Sequence, residues 1–131
     1  MTQTDTPPTI LLVEEDDQVR PLISQNLRHQ GYQVVIALDE ADAIERTKGG
    51  GLCPDLILLN QVGRSIQEYT VMGERICQSA GIGEHTPIIV MAEHYGADME
   101  GKDVQVDRTK YVTYLENGQQ LMNLLQSLCP V

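Results

Sequence analysis

The stretch Ile10-Leu11-Leu12-Val13-Glu14-Glu15-Asp16-Asp17 decides how this chain is read. Four apolar residues run without a break and then give way to four carboxylates. A short, wholly apolar run bounded by charge is the signature of a strand buried on both faces. Working outward, Val19, Leu22, Ile23 and Leu27 recur at helical spacing. Asp16 or Asp17 is expected to cap that helix, with Pro21 in its first turn and Gly31 at its end. Val34-Val35-Ile36-Ala37 reads as a second strand, and Asp39 as the cap of a short helix carrying Ala41 and Ile44. That helix stops at Gly49-Gly50-Gly51. Asp55 to Leu59 is a third strand, and Tyr69, Met72, Ile76 and Ala80 form the stripe of a third helix. Pro87 to Met91 is a fourth strand and Lys110 to Tyr114 a fifth. Asn117 caps a last helix with Leu121, Leu124, Leu125 and Leu128 on one face. Residues 93–107 show no 3.6-residue stripe, so a short distorted helix or a loop is expected there.

Strands alternating with helices imply a parallel sheet covered on both faces. The first, third and fourth strands are wholly apolar in their middles and belong inside. The second and fifth, with Gln33, Lys110 and Thr113, belong at the edges. The expectation is a single doubly wound α/β domain with a five-stranded parallel sheet, order 2-1-3-4-5, and an irregular fourth helix region. In such a sheet a ligand crevice opens at the carboxyl ends of strands one and three.

Composition narrows the function classes. The 131 residues fit one domain, expected over 9–131 after a flexible polar leader at 1–8. Nine basic residues against 19 acidic ones give a net charge of −10, which repels nucleic acid and anionic membrane surfaces. Cys53, Cys77 and Cys129 are odd in number and lack a CxxC pair, which suits free thiols in a reducing cytoplasm. Cys53 and Cys77 are expected to be small buried residues and Cys129 a near-terminal thiol. The leader is too polar for a signal peptide, and no apolar run is long enough for a membrane span. With no Phe and no Trp, the core must be mostly aliphatic.

The crevice would receive Glu14, Glu15, Asp16 and Asp17. Four consecutive carboxylates repel phosphate unless a hard cation stands between, so flavin and P-loop readings are poor. A solvated turn with a helix cap is the plain alternative. His29, His85 and His94 are dispersed and read as surface residues, and Asp55 begins its strand, away from the crevice.

Residues 10–20 resemble the opening of bacterial response-regulator receiver domains, the CheY-like family. Pro54 to Leu59 and Thr86 to Met91 are similar to that family's third and fourth strands. The resemblance covers about residues 9–128 and implies a set of roles. An acidic pair after strand one holds Mg²⁺, and an Asp ending strand three accepts a phosphoryl group from a histidine kinase. A hydroxyl ending strand four and a Lys ending strand five grip that group, and an aromatic residue on strand five reports the switch.

Carried onto this chain, the acidic pair is Glu14 and Glu15, with Asp16 beside it. The acceptor position falls on Asn60, the hydroxyl position on Ala92 and the lysine position on Tyr114, followed by Leu115 where a Pro is usual. The aromatic position is kept as Tyr111. An amide oxygen cannot attack phosphorus as a carboxylate does, Ala92 has no donor and Tyr114 has no cation. The resemblance therefore supports the fold and opposes its usual reaction.

The expected function is a stand-alone, non-enzymatic pseudo-receiver, independent of phosphorylation, acting as a protein-interaction module in two-component signalling. Its contact face would combine the fourth helix region, strand five and the last helix. Partners would be a histidine kinase or a downstream output protein, with a homodimer left open and neither nucleic acid nor membrane involved. No cofactor is required, and Mg²⁺ would bind weakly if at all. The alternative is an Mg²⁺-dependent phosphoacceptor using a surrogate carboxylate such as Asp16. A redox or small-molecule carrier is the remaining class.

Overall fold

The computed structural model describes residues 6–83 and 85–131. Of the expected leader, residues 1–5 lie outside that range. The described residues form strands β1 (Thr9–Val13), β2 (Gln33–Ala37), β3 (Leu56–Asn60), β4 (Ile88–Met91), β5 (Asp103–Gln105) and β6 (Lys110–Thr113). The helices are α1 (Arg20–His29), α2 (Glu40–Thr47), α3 (Ile66–Ala80) and α4 (Gly118–Leu128). The sheet order is β2-β1-β3-β4-β6-β5. Its five parallel strands keep the expected order, with β6 as the fifth of them.

Alternation along the strands builds two cores. Ile10, Leu12, Leu56, Leu58, Ile89 and Met91 face Leu27 of α1 and Leu121, Leu124 and Leu125 of α4. Leu11, Val13, Ile57, Leu59, Ile88 and Val90 face Ala43 of α2 and Tyr69, Met72 and Ile76 of α3. Each fully buried aliphatic side chain contributes roughly 1.5–3 kcal/mol of transfer free energy, so two filled faces explain why the middles of β1, β3 and β4 hold no polar residue. The α3–β4 contact is close. A Cβ on Gly73 would come within 2.7 Å of the Ile88 side chain, so glycine sets how near this helix lies to the sheet.

Three expectations need correction. First, the irregular fourth helix region, expected over residues 93–107 as a short distorted helix or a loop, is a loop without a helix. Its last part becomes β5, antiparallel to β6, with Asp103 opposite Thr113 and Gln105 opposite Tyr111. The expected edge strand is thus covered, which accounts for its buried Val112 and Thr113. Second, neither Asp16 nor Asp17 caps α1. The Asp16 carboxylate accepts the Gln18 N–H at 2.9 Å within a turn, and α1 begins at Arg20 behind Val19, which offers no side-chain cap. Pro21 supplies the reason. A helix started from Asp16 or Asp17 would place it where a backbone N–H must reach back to the first turn. Third, Cys53 is exposed and Cys77 half-buried, whereas Cys129 is buried in the α1–α4 core. The Tyr32 hydroxyl reaches over and donates to the Cys129 carbonyl at 2.8 Å, which draws the end of α4 inward.

The caps expected of Asp39 and Asn117 form, each side chain accepting an N–H three residues on, from Asp42 and Gln120. Helix α3 carries a reciprocal cap in which Ser65 accepts from Glu68 N while Glu68 accepts from Ser65 N. Gly81, at φ +69°, closes it in the left-handed conformation that glycine adopts at least cost.

Candidate functional site

At the carboxyl ends of β1 and β3 the chain turns away in opposite directions, and Glu14 and Asn60 face each other there. Glu14 is fully buried. Its Oε2 accepts the Asn60 Nδ2 at 3.0 Å and the Asp16 backbone N–H at 3.2 Å, while Oε1 is buried with no partner among the described residues. Burial pushes the Glu14 carboxyl above its ordinary value, and the bonds from Asn60 and Asp16 only partly oppose this. Arg20 Nε donates to the Glu14 carbonyl at 2.9 Å, which brings one cation behind the pair.

Glu15 points the other way, to residues that sequence reasoning did not single out for the site. Arg64 Nη2 lies 3.4 Å from Oε1 and 3.3 Å from Oε2 of Glu15. The Tyr69 hydroxyl is 2.8 Å from the same Oε1 and 2.9 Å from the Val62 carbonyl. Burial, and then the bond to Glu15, raise the Tyr69 phenol above its ordinary value. The Arg64 guanidinium carbon sits 5.3 Å from the centre of the Tyr69 ring, within cation–π range. Tyr69 thus serves both as the first residue of the α3 stripe and as a polar tip at the crevice. The signal that could have found Arg64 is its position, a basic residue in the short β3–α3 loop beside an acidic rim.

The loops after β3 and β4 are laced together. Gln61 Nε2 donates to the Arg64 carbonyl at 2.8 Å, and Gln61 Oε1 accepts the Glu93 N–H at 2.8 Å. Glu93 Oε1 in turn accepts the Gly63 N–H at 3.0 Å. Three bonds of ordinary length thereby hold Arg64's loop against the end of β4.

The remaining expected residues fall on the crevice rim but not into one cluster. Asp16 is exposed, with its carboxylate turned to its own loop. Ala92 follows β4 half-buried, and its N–H donates to the Thr113 carbonyl at 3.0 Å. Tyr111 packs half-buried against the α1–α4 core. Tyr114 is held by the chain that leads into β5, its N–H donating to Lys102 O at 2.9 Å and its carbonyl accepting from Gly101 at 2.7 Å. The Tyr114 ring meets Tyr95 edge-on, 5.5 Å between centres, and the Tyr95 hydroxyl donates to the Leu115 carbonyl. Asp55, at the opposite end of the sheet, accepts the Thr9 N–H at 2.7 Å. His29, His85 and His94 are exposed.

A magnesium ion needs several oxygens converging at close range. Here Glu14 offers one uncommitted oxygen, Asn60 presents its N–H₂ to the crevice, and both Glu15 oxygens are engaged by Arg64. Among the described residues, no group of three or more His, Cys, Asp or Glu is arranged to hold a metal ion. The donor set as it stands does not fit the ion. None of the described helices is long and apolar enough to cross a membrane.

A scan against protein-family models finds no match, and a sequence search of curated proteins finds none either. Solved structures do match. The receiver domain of the sensor histidine kinase PA1611 from Pseudomonas aeruginosa, with a magnesium ion coordinated in its active site cleft, is similar at TM-score 0.66 and 22% identity. That match covers 93% of this chain and 97% of the other. The chemotaxis protein CheY4 of Vibrio cholerae is similar at TM-score 0.66 and 21% identity, over 93% and 98% of the two chains. The response regulator TrrA of Thermotoga maritima, in complex with Mg²⁺ and BeF, gives TM-score 0.63 and 20% identity over 92% and 98%. The fold is that of response-regulator receiver domains.

Proposed function

We propose that this chain is a pseudo-receiver, a member of the receiver lineage that has kept the scaffold and given up phosphoryl transfer. One observation carries the reading. At the position where the resemblance expects an acceptor carboxylate, Asn60 donates a hydrogen bond to Glu14 at 3.0 Å. A neutral amide that spends its N–H₂ on the neighbouring carboxylate offers no nucleophilic oxygen to phosphorus. Ala92 and Tyr114 agree with it, since neither supplies the hydroxyl or the cation that would steady a transferred phosphoryl group.

In this reading the protein works by binding, in the cytoplasm, within two-component signalling, and catalyses nothing. Its partners are a histidine kinase or an output protein, or a second copy of itself, and no cofactor is required. The contact face runs over the 93–102 loop, β5, β6 and α4. This is where the molecule departs most from a regular crossover, through the Tyr95–Tyr114 pair and the β5 addition. A net charge of −10 favours a basic partner surface and disfavours nucleic acid and anionic membranes.

Incubation with acetyl phosphate and Mg²⁺, followed by intact mass measurement, tests the proposal. The expected spectrum is unchanged. An adduct of about 80 Da, one phosphoryl group, formed in good yield would reject it in favour of a surrogate acceptor.

A further inference from the structure

We propose that Arg64 is the resident cation of this crevice, and that its hold on Glu15 makes the site refuse divalent metal. The inference deepens the pseudo-receiver reading and rests on it for the crevice's role, but it stands on a separate set of contacts. Arg64 Nη2 spans both oxygens of Glu15 at 3.3 and 3.4 Å. The guanidinium lies over the Tyr69 ring, whose hydroxyl touches the same carboxylate. One carboxylate is thus shared by a cation and a phenol, and a metal ion would have to displace both.

Position makes this competition effective. An exposed ion pair between free partners would be weak, and the Arg64 side chain is 41% exposed. Arg64, however, is not a free partner. Its carbonyl is bonded to Gln61, Gln61 to Glu93, and Glu93 back to Gly63, so the loop delivers the guanidinium to Glu15 at a high local concentration. A dissolved ion must also shed tightly held water, a step magnesium takes reluctantly. The second obstacle is Asn60, whose N–H₂ is directed at Glu14. Its amide oxygen is neutral, so it offers a dication no charge to offset the loss of bound water. Among the described residues, Glu14 Oε1 is the one carboxylate oxygen of Glu14 and Glu15 without a partner, and one buried oxygen is too few for a hard dication.

The test is a titration of the full chain with MgCl₂ alone, at fixed ionic strength and without phosphoryl donor. Amide shifts of Glu15 and Gly63 report binding at the crevice, and circular dichroism checks that each variant is folded. The native chain is expected to show no saturation up to roughly 10 mM, beyond the weakest physiological cation sites. Arg64→Ala is expected to gain saturable binding at least about tenfold tighter, either in the native background or with Asn60→Asp, and Arg64→Lys to restore the refusal. The proposal is overturned by a native chain that saturates near 1 mM or below, or by Arg64→Ala gaining nothing in both backgrounds. Because no phosphoryl donor is present, failure here is distinct from failure of the silent-acceptor reading, which only the mass measurement decides.

Discussion

The two crossovers on either side of β3 and the connection after β4 solve the same problem differently. Between β3 and β4 the chain crosses through α3, whose Tyr69, Met72, Ile76 and Ala80 are all buried. Between β4 and β6 the connection is shorter, though as long as the one that holds α2 between β2 and β3, and its large aliphatic residues are scattered as Met99, Val104 and Val106. Met99 and Val106 would share a helical face, but Lys102 and Asp103 interrupt it and Gly96 and Gly101 weaken any helix there. The backbone is satisfied instead by two turns and by strand pairing against β6. A crossover becomes a helix when it has a stripe to bury, and topology alone does not supply one.

The largest expected effect breaks the regular side of that comparison. Ile76→Ala leaves a cavity between α3 and the sheet and should cost about 2–5 kcal/mol in chemical denaturation. Val104→Ala, half-buried in β5, should cost under about 1 kcal/mol in the same experiment. Equal losses would mean that β5 is as integral to the fold as α3.

Next in size is Asn60→Asp. It removes the hydrogen bond to Glu14 and sets a second carboxylate about 3 Å from the first, for an expected loss of about 1–3 kcal/mol in a metal-free thermal melt after allowance for solvent. If Arg64 governs metal access, millimolar Mg²⁺ should recover more of that loss when Arg64→Ala is added.

Glu14→Gln should act in the opposite direction. A carboxyl raised above its ordinary value binds protons more readily folded than unfolded, so its charge detracts from stability as pH rises above the ordinary carboxylate range. At neutral pH the neutral isostere should therefore stabilise by about 1–2 kcal/mol. The gain should shrink as pH falls toward 4.5, where both states of the native chain take up the proton. A pH series of melting temperatures measures both the sign and the window.

The smallest effects sharpen the contrast at the helix and loop ends. Ser65→Ala removes the α3 cap and should cost about 1 kcal/mol. Tyr95→Phe loses only the bond to the Leu115 carbonyl and should cost about 0.5–1 kcal/mol. Urea midpoints of the two variants rank them.

What could be read in the chain, and what could not, follows the same division. The strands β1, β3 and β4 were legible because burial on both faces leaves an unbroken apolar run with charged or turn residues at its ends. Glu14 was placed at the crevice by those boundaries, and Asn60 by the family resemblance. Strand β5 was missed although Asp103-Val104-Gln105-Val106-Asp107 alternates, because so short a run between charged residues needs its partner β6 to become a strand. The false cap at Asp16 came from reading a favourable residue type without the constraint that Pro21 imposes five residues later. Arg64 escaped because pairing across loops depends on where two turns arrive in space. Tyr69 was placed correctly in the core, yet a stripe position does not announce that its hydroxyl will emerge at the rim.

The antiparallel addition of β5 has a consequence for how copies of the molecule tolerate one another. A parallel strand such as β6 at the border of a sheet would present a row of unmet backbone donors and acceptors, an invitation to stack with a neighbour. A three-residue border strand bearing Asp103 and Gln105 leaves little to stack on. With a short charged fringe in place of a helix, that flank resists edge-to-edge strand addition while its side chains stay open to a docking surface.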